Sequence, residues 1–223
     1  MKVGVLLAAG ASSRMGRSKP LARAAGQSFL ARGVRHLWAA CDAVVVVLGS
    51  AAPAVRRAAE GEFERLVRSG RLRNDLKSTR GHAPTMGLEV RFVVHRQWRR
   101  GMLSSVRAGL EEALGLRPES ILVLPVDQPA LRMATVRTLA DAMQAALGAY
   151  GNRSVRRPQF AYALIPRYRR RRGHPIALSP ALARSIARDP RATDLGDAVR
   201  RNTRLIGYLD VADAGVIQNR NRA

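Results

Sequence analysis

Val5-Leu6-Leu7-Ala8-Ala9-Gly10-Ala11-Ser12-Ser13-Arg14-Met15-Gly16-Arg17-Ser18-Lys19-Pro20 decides the fold. A short apolar strand runs straight into a loop of small residues carrying two hydroxyls, Ser12 and Ser13, and the cations Arg14 and Lys19. Gly10 and Gly16 open backbone angles closed to other residues, which lets the chain wrap a ligand. Successive backbone N–H groups in such a loop form an anion-binding nest, to which Arg14 and Lys19 add full charges. This arrangement suits a nucleoside triphosphate held by its phosphates, with Leu7, Ala8, Ala9, Gly10, Ser12 and Ser13 around the nucleotide. The alternative is an ordinary Gly/Ser loop with surface cations. The spacing is neither that of a Walker A loop nor the Gly-x-Gly-x-x-Gly of a dinucleotide fold.

Working outward, apolar runs recur at residues 3–8, 43–49, 89–95 and 121–126, with weaker ones at 160–165 and 204–209. Segments 29–40, 53–69, 104–116 and 135–147 between them show helical spacing. Val44 to Leu48 is continuously apolar, as expected of a strand covered on both faces. The alternation predicts an α/β fold: a single doubly wound, mostly parallel sheet with helices on both faces. Ligands of such sheets bind beyond the carboxyl ends of the strands, where the first loop and the loop after Val126 both fall. The 223 residues read as one domain, with a polar insertion around 74–87 that lacks periodicity.

One cysteine, Cys41, cannot close an intramolecular disulfide and is expected to be a small buried residue in a reducing compartment. The apolar run after Lys2 is at the lower limit for a signal peptide and is better used as the first strand; no stretch spans a membrane, and the expected location is cytoplasmic. Net charge is +23, and all but three of the 39 Lys and Arg residues are Arg. That balance suggests polyanionic partners or, alternatively, an Arg-coated solvated surface. Aromatic residues interleaved with the basic ones are missing, so no specific nucleic-acid partner is expected.

Further segments carry chemistry. Leu124-Pro125-Val126-Asp127-Gln128-Pro129 places a carboxylate directly after an apolar strand, suited to Mg²⁺ or to capping the next helix. In Gln97-Trp98-Arg99-Arg100-Gly101-Met102-Leu103-Ser104-Ser105, a Gly before a helix that begins with hydroxyls suits close approach of a base and ribose. Ser105 is the hydrogen-bonding group there; a simple N-cap is the alternative. Arg172-Gly173-His174-Pro175 holds a histidine between two residues that constrain its backbone, following an Arg cluster at Arg167 and Arg169 to Arg172. Asp194, in Thr193-Asp194-Leu195-Gly196-Asp197, either acts near an acceptor or caps the helix after it.

The first motif resembles the signature L-A-A-G-x-S-x-R-M-G-x-x-K of the MobA-like NTP transferases, especially the molybdenum-cofactor cytidylyltransferase type. Leu7, Ala8, Ala9, Gly10, Ser12, Arg14, Met15, Gly16 and Lys19 fall in register. The resemblance implies transfer of a nucleoside monophosphate from an NTP, with CTP favoured, to a phosphate-bearing acceptor, releasing pyrophosphate. Molybdopterin is the implied acceptor, with a molybdoenzyme or chaperone as possible partner. It further implies catalytic roles for Arg14, Lys19 and Asp127, nucleotide contacts at Gly101 and Ser105, and acceptor contacts at His174 and Asp194. Mg²⁺ would sit on Asp127, with Asn219 as second ligand. The family pattern usually has Asn where this chain has His95, and the C-terminal segment has a neutral amide at Asn219. A sugar- or polyol-phosphate nucleotidyltransferase and a non-catalytic nucleotide-binding accessory protein are the alternatives.

Overall fold

The computed structural model describes residues 1–10, 18–69, 89–151 and 160–220. The apolar runs form strands β1 (Lys2–Ala8), β4 (Ala43–Leu48), β5 (Glu89–Val94) and β6 (Ser120–Pro125). The short pair β2 (Arg23–Ala24) and β3 (Gln27–Ser28) forms its own hairpin. Beyond β6 come β7 (Tyr162–Tyr168), β8 (Arg171–Arg172), β9 (Ile176–Leu178) and β10 (Leu205–Asp210). The helices are α1 (Phe29–Trp38), α2 (Ala52–Arg68), α3 (Met102–Gly115), α4 (Met133–Gly151), α5 (Pro180–Arg188) and α6 (Leu195–Asn202).

The main sheet has the order β10-β7-β9-β6-β1-β4-β5, with β8 paired to β7. β1 pairs in parallel with both β4 and β6, β4 with β5, and β7 with β10. β9 is antiparallel to both its neighbours, so β7 again runs in the direction of β6. This is the expected doubly wound, mostly parallel sheet.

Period-two side-chain alternation divides the central strands between two cores. Leu6, Val44, Val46, Leu48, Leu122 and Leu124 pack under α1, α2 and α4. Val3, Val5, Leu7, Val45, Val47, Ile121 and Val123 pack under α3, α5 and α6 on the opposite face. Burial on both faces is why the central strands read as unbroken apolar runs. Cys41 is buried and unpaired, and burial pushes its thiol up to about 12. Among the described residues no helix is long and apolar enough to cross a membrane. The 74–87 segment lies outside the described residues.

α3 lies close to the sheet because Gly109 faces it: a Cβ there would stand 2.5 Å from Val5 Cγ1 and 2.8 Å from Val47 Cγ2. This contact sets the height of the whole helix, and therefore where its first turn meets the end of β1. After β1 the chain builds β4 and β5 on one side, then returns to place β6 on the other. The sheet therefore has its topological switch point at the carboxyl ends of β1 and β6, where ligands of such folds bind.

Candidate active site

A cleft of about 480 Å³ opens at that switch point. Leu7, Ala8, Ala9 and Gly10 form its floor at the end of β1, and Pro125, Val126 and Asp127 form one wall at the end of β6. The opposite wall comes from the turn at Trp98–Arg100 and the start of α3, through Trp98, Gly101, Met102 and Ser105. Lys19 and Pro20 close it from the 3-10 turn Lys19–Leu21. Ser12, Ser13 and Arg14 lie outside the described residues.

Lys19 and Asp127 are 108 residues apart in sequence and meet across the cleft, with Lys19 Nζ 2.9 Å from Asp127 Oδ2. The two side chains are only 21% and 15% exposed. Asp127 Oδ1 is buried and has no hydrogen-bond partner among the described residues. A buried carboxylate oxygen left unsatisfied is costly, and a divalent cation is the kind of group that satisfies it. The residues present thus fit one metal ligand at Asp127. Among the described residues no cluster of three or more His, Cys, Asp or Glu could form a closed metal cage. An open Mg²⁺-type site, completed by substrate oxygens and water, suits one carboxylate better than such a cage.

Ser105 lines the cleft and is buried, whereas the N-cap of α3 is Gly101, whose φ of 98° belongs to the left-handed region. Ser105 is therefore not a cap. His95, at the end of β5, reaches the same turn: its Nε2 is 2.9 Å from Ser104 Oγ, which donates to Gly101 O at 2.7 Å. The imidazole thus braces the glycine turn from the neighbouring strand.

His174 does not line the cleft. It stands behind the Asp127 loop, its Nδ1 3.4 Å from Gln128 Nε2, and burial holds its pKa down at about 4. Asn219 Oδ1 accepts from Gln128 Nε2 at 3.0 Å, and Arg220 N donates to Asp127 O at 2.8 Å. Asn219 therefore ties the C-terminal segment to the Asp127 loop, a use of its oxygen that the expected metal contact did not include. Asp194 is exposed and caps α6, accepting from Asp197 N at 2.8 Å, which is the capping role. It too is outside the cleft lining.

Three contributors went unnoticed in sequence. Trp98 walls the cleft, and a tryptophan inside a motif segment was the available signal. Gln128, buried beside Asp127, gave none, because its partners lie 46 to 91 residues away. Asp213 accepts from Arg132 N, Thr135 Oγ1 and Gly215 N, pinning the C-terminal segment to the start of α4.

A family model for the MobA-like NTP transferase domain matches residues 4–205. The chain belongs to this family. The MobA-like match takes in the first loop, the Asp127 loop and the His174 segment. A curated relative, the nicotine blue oxidoreductase of Paenarthrobacter nicotinovorans, is 31% identical over 218 residues, covering 94% of this chain and 87% of that protein. Among solved structures, Rv0371c of Mycobacterium tuberculosis H37Rv is 24% identical with a TM-score of 0.64, over 97% of this chain and 93% of that one. Its complex with manganese aligns at 23% identity and a TM-score of 0.60, over 94% and 88% of the chains. Molybdopterin-guanine dinucleotide biosynthesis protein A of Archaeoglobus fulgidus is 16% identical with a TM-score of 0.54, over 95% and 84%. These structural likenesses establish a shared MobA-like fold.

Proposed function

We propose that residues 1–223 act as one nucleotidyltransferase unit that moves a nucleoside monophosphate from an NTP, with CTP favoured, to a phosphate-bearing acceptor. The acceptor we favour is molybdopterin or the molybdenum cofactor, on the Arg172-Gly173-His174-Pro175 segment, and the location we favour is the cytoplasm. The reading is carried by the Lys19–Asp127 pair at the switch point, with Asp127 Oδ1 left without a partner among the described residues.

An acceptor phosphate oxygen attacks the α-phosphorus, the bond from that phosphorus to the β-phosphate bridging oxygen breaks, and pyrophosphate leaves. The nucleophile is already ionised at neutral pH, so the chain's work is positioning and charge neutralisation. Asp127 is the residue that would hold a divalent cation such as Mg²⁺, which would supply positive charge against the triphosphate and the pyrophosphate. Lys19 exchanges its contact with Asp127 for the phosphates, joined by Arg14 and the amides of the first loop with Ser12 and Ser13. Gly101 and Ser105 take the base and ribose side. Asn219 braces the Asp127 loop, and His174 and Asp194 are assigned to the acceptor side.

A second reading follows the name of the Paenarthrobacter relative, an oxidoreductase of nicotine blue. One experiment separates them: a matrix of NTPs against molybdopterin, sugar phosphates and polyol phosphates, read by pyrophosphate release, run beside a nicotine blue reduction assay. Pyrophosphate release that depends on both CTP and molybdopterin supports the transfer reading. Release with a sugar or polyol phosphate moves the acceptor, nucleotide binding with no transfer favours an accessory role, and dye reduction without release overturns it.

A further inference from the structure

Charge is unevenly distributed around the cleft. Among its described lining residues the charged groups are Lys19, Asp127 and Arg99. Lys19 and Asp127 pair at 2.9 Å, so their charges offset one another. Arg99 stands on the opposite wall, exposed to the cleft. Among the described residues its guanidinium has no carboxylate partner and lies over the Trp98 ring, 5.0 Å from the centroid. Arg99 is therefore the uncompensated charge of the described lining.

The ring under that guanidinium is itself placed by backbone. Gly49 follows β4, and a Cβ there would stand 2.7 Å from Trp98 Cγ and 2.3 Å from Ala9 O. Ala9 lies in the cleft floor, so floor and wall meet at Gly49 with no room for a side chain. The 3-10 turn Trp98–Arg100 then sets Arg99 beside the ring. A guanidinium stacked by its face keeps its N–H edge free, and that edge matches two oxygens of one phosphoryl group. Stacking also removes part of the rotamer freedom that a long side chain loses on binding, which favours affinity.

We propose that Arg99 is a phosphate-binding residue of the cleft, its guanidinium held on Trp98 and its donor edge offered to a phosphoryl group of a substrate. The proposal rests on the reading that the cleft takes phosphate-bearing substrates. Transfer between two such substrates brings two anions together, and a cation on the wall facing the Lys19–Asp127 pair offsets their repulsion. The phosphate belongs either to the NTP or to the acceptor, and the recognition chemistry is the same for both.

Calorimetric titration of the full chain with three probes tests this. They are Mg²⁺ with a CTP analogue whose α–β bridge is a methylene, Mg²⁺ with tripolyphosphate, and glycerol phosphate added to protein saturated with the analogue. Arg99→Met keeps an unbranched side chain against Trp98 and removes the donor fork. Arg96, exposed and outside the cleft lining, supplies the control: Arg96→Met removes the same charge and should leave every titration unchanged. In Arg99→Met at least one probe should bind about tenfold more weakly, the scale of a hydrogen bond to a charged group. Parallel losses for the analogue and tripolyphosphate assign the contact to the nucleotide, and a loss confined to glycerol phosphate assigns it to the acceptor. In a Trp98→Leu background the same substitution should cost only about threefold, because the ring no longer orients the guanidinium. The proposal is overturned if Arg99→Met weakens no probe that the wild type binds, or if Arg96→Met has an equal effect. It is also overturned by a loss for the analogue without one for tripolyphosphate, which marks a contact to the base, or by an effect undiminished in Trp98→Leu. A wild type that binds none of the probes removes the phosphate cleft, and the proposal with it. Arg99-dependent binding in a protein that releases no pyrophosphate with any acceptor leaves the phosphate contact standing and removes the transfer reading instead.

Discussion

Replacing Lys19 by Ala tests the site most directly, because the structure gives that side chain an ion pair besides the phosphate contact proposed for it. At 2.9 Å from Asp127 Oδ2, the pair has a gross Coulomb attraction of about 6 kcal/mol at an effective dielectric of 20. Desolvation of two half-enclosed charges offsets most of this, leaving about 1.5–3 kcal/mol, the range for a hydrogen bond between charged groups. For a chain of this length that corresponds to a melting temperature lowered by roughly 3–12 °C. Transfer should fall further, by about 10²–10³ in kcat/KM, the scale for removing one preorganised charge stabiliser. The assay pairs thermal melts without ligand against pyrophosphate release, for Lys19→Ala, Asp127→Ala and the double variant. The stability cost of the double should be smaller than the sum of the singles by about the pair energy. Its rate should be no lower than that of the worse single, because the two act as a unit. Near-wild-type kcat/KM in a folded Lys19→Ala protein, or additive stability losses, would refute the reasoning.

Asp127→Ala should abolish Mg²⁺-dependent transfer while circular dichroism shows the fold intact, since the residue lies beyond the strand end; an unchanged metal titration would reduce the carboxylate to a loop residue. Gly109→Ala should cost about 1–3 kcal/mol by overpacking α3 against Val5 and Val47, visible as a lower melting temperature; an unchanged melt would mean the helix lifts freely. Burial pushes the His36 pKa down to about 4. As pH falls below the ordinary value of about 6.5 the unfolded chain takes the proton first, so stability is full above that value and is lost towards pH 4. His36→Leu should therefore lose less melting temperature than wild type between pH 7 and 4.5, and an equal loss would show that the ring is not the cause. Duplex DNA binding through scattered Arg should weaken steeply with salt, about 0.9 log units per log unit of salt for each phosphate contacted, while CTP–Mg²⁺ binding persists. Tight, sequence-selective DNA binding that outlasts CTP binding would contradict this.

The parts of the fold legible in sequence are those whose signal is contiguous. β1 and β4 announced themselves because both faces of each are buried, so neither shows polar alternation. The first loop carries a contiguous signal of the same kind, its glycines, hydroxyls and cations following one another directly, but its residues 11–17 lie outside the described ones. β9 was not legible, because three residues give no period, and its place between β6 and β7 is a tertiary fact. α5 carried an available but unused signal, Ser179 as N-cap followed by Pro180. β7 runs three residues past the expected end at 165 because pairing with β10 and β8 extends it. At the site, the pairing of Lys19 with Asp127 could be anticipated from two loops at one sheet edge. The bracing of Gly101 by His95 through Ser104 could not, because it depends on which way a histidine leaves its strand.

The reversed strand β9 has a consequence for recombining relatives of this chain. β9 meets β6 through only three residue pairs, Ile121 with Leu178, Leu122 with Ala177 and Val123 with Ile176. A crossover placed between α4 and β7 would look natural, exchanging everything from β7 onward as a module for a different acceptor. It would also separate Gln128 from His174, Val216 and Asn219, and Asp213 from Arg132 and Thr135. The unit that travels intact is therefore discontinuous: residues 127–135 must be grafted together with residues 160–220, while β1, β4, β5 and the body of β6 remain with the host.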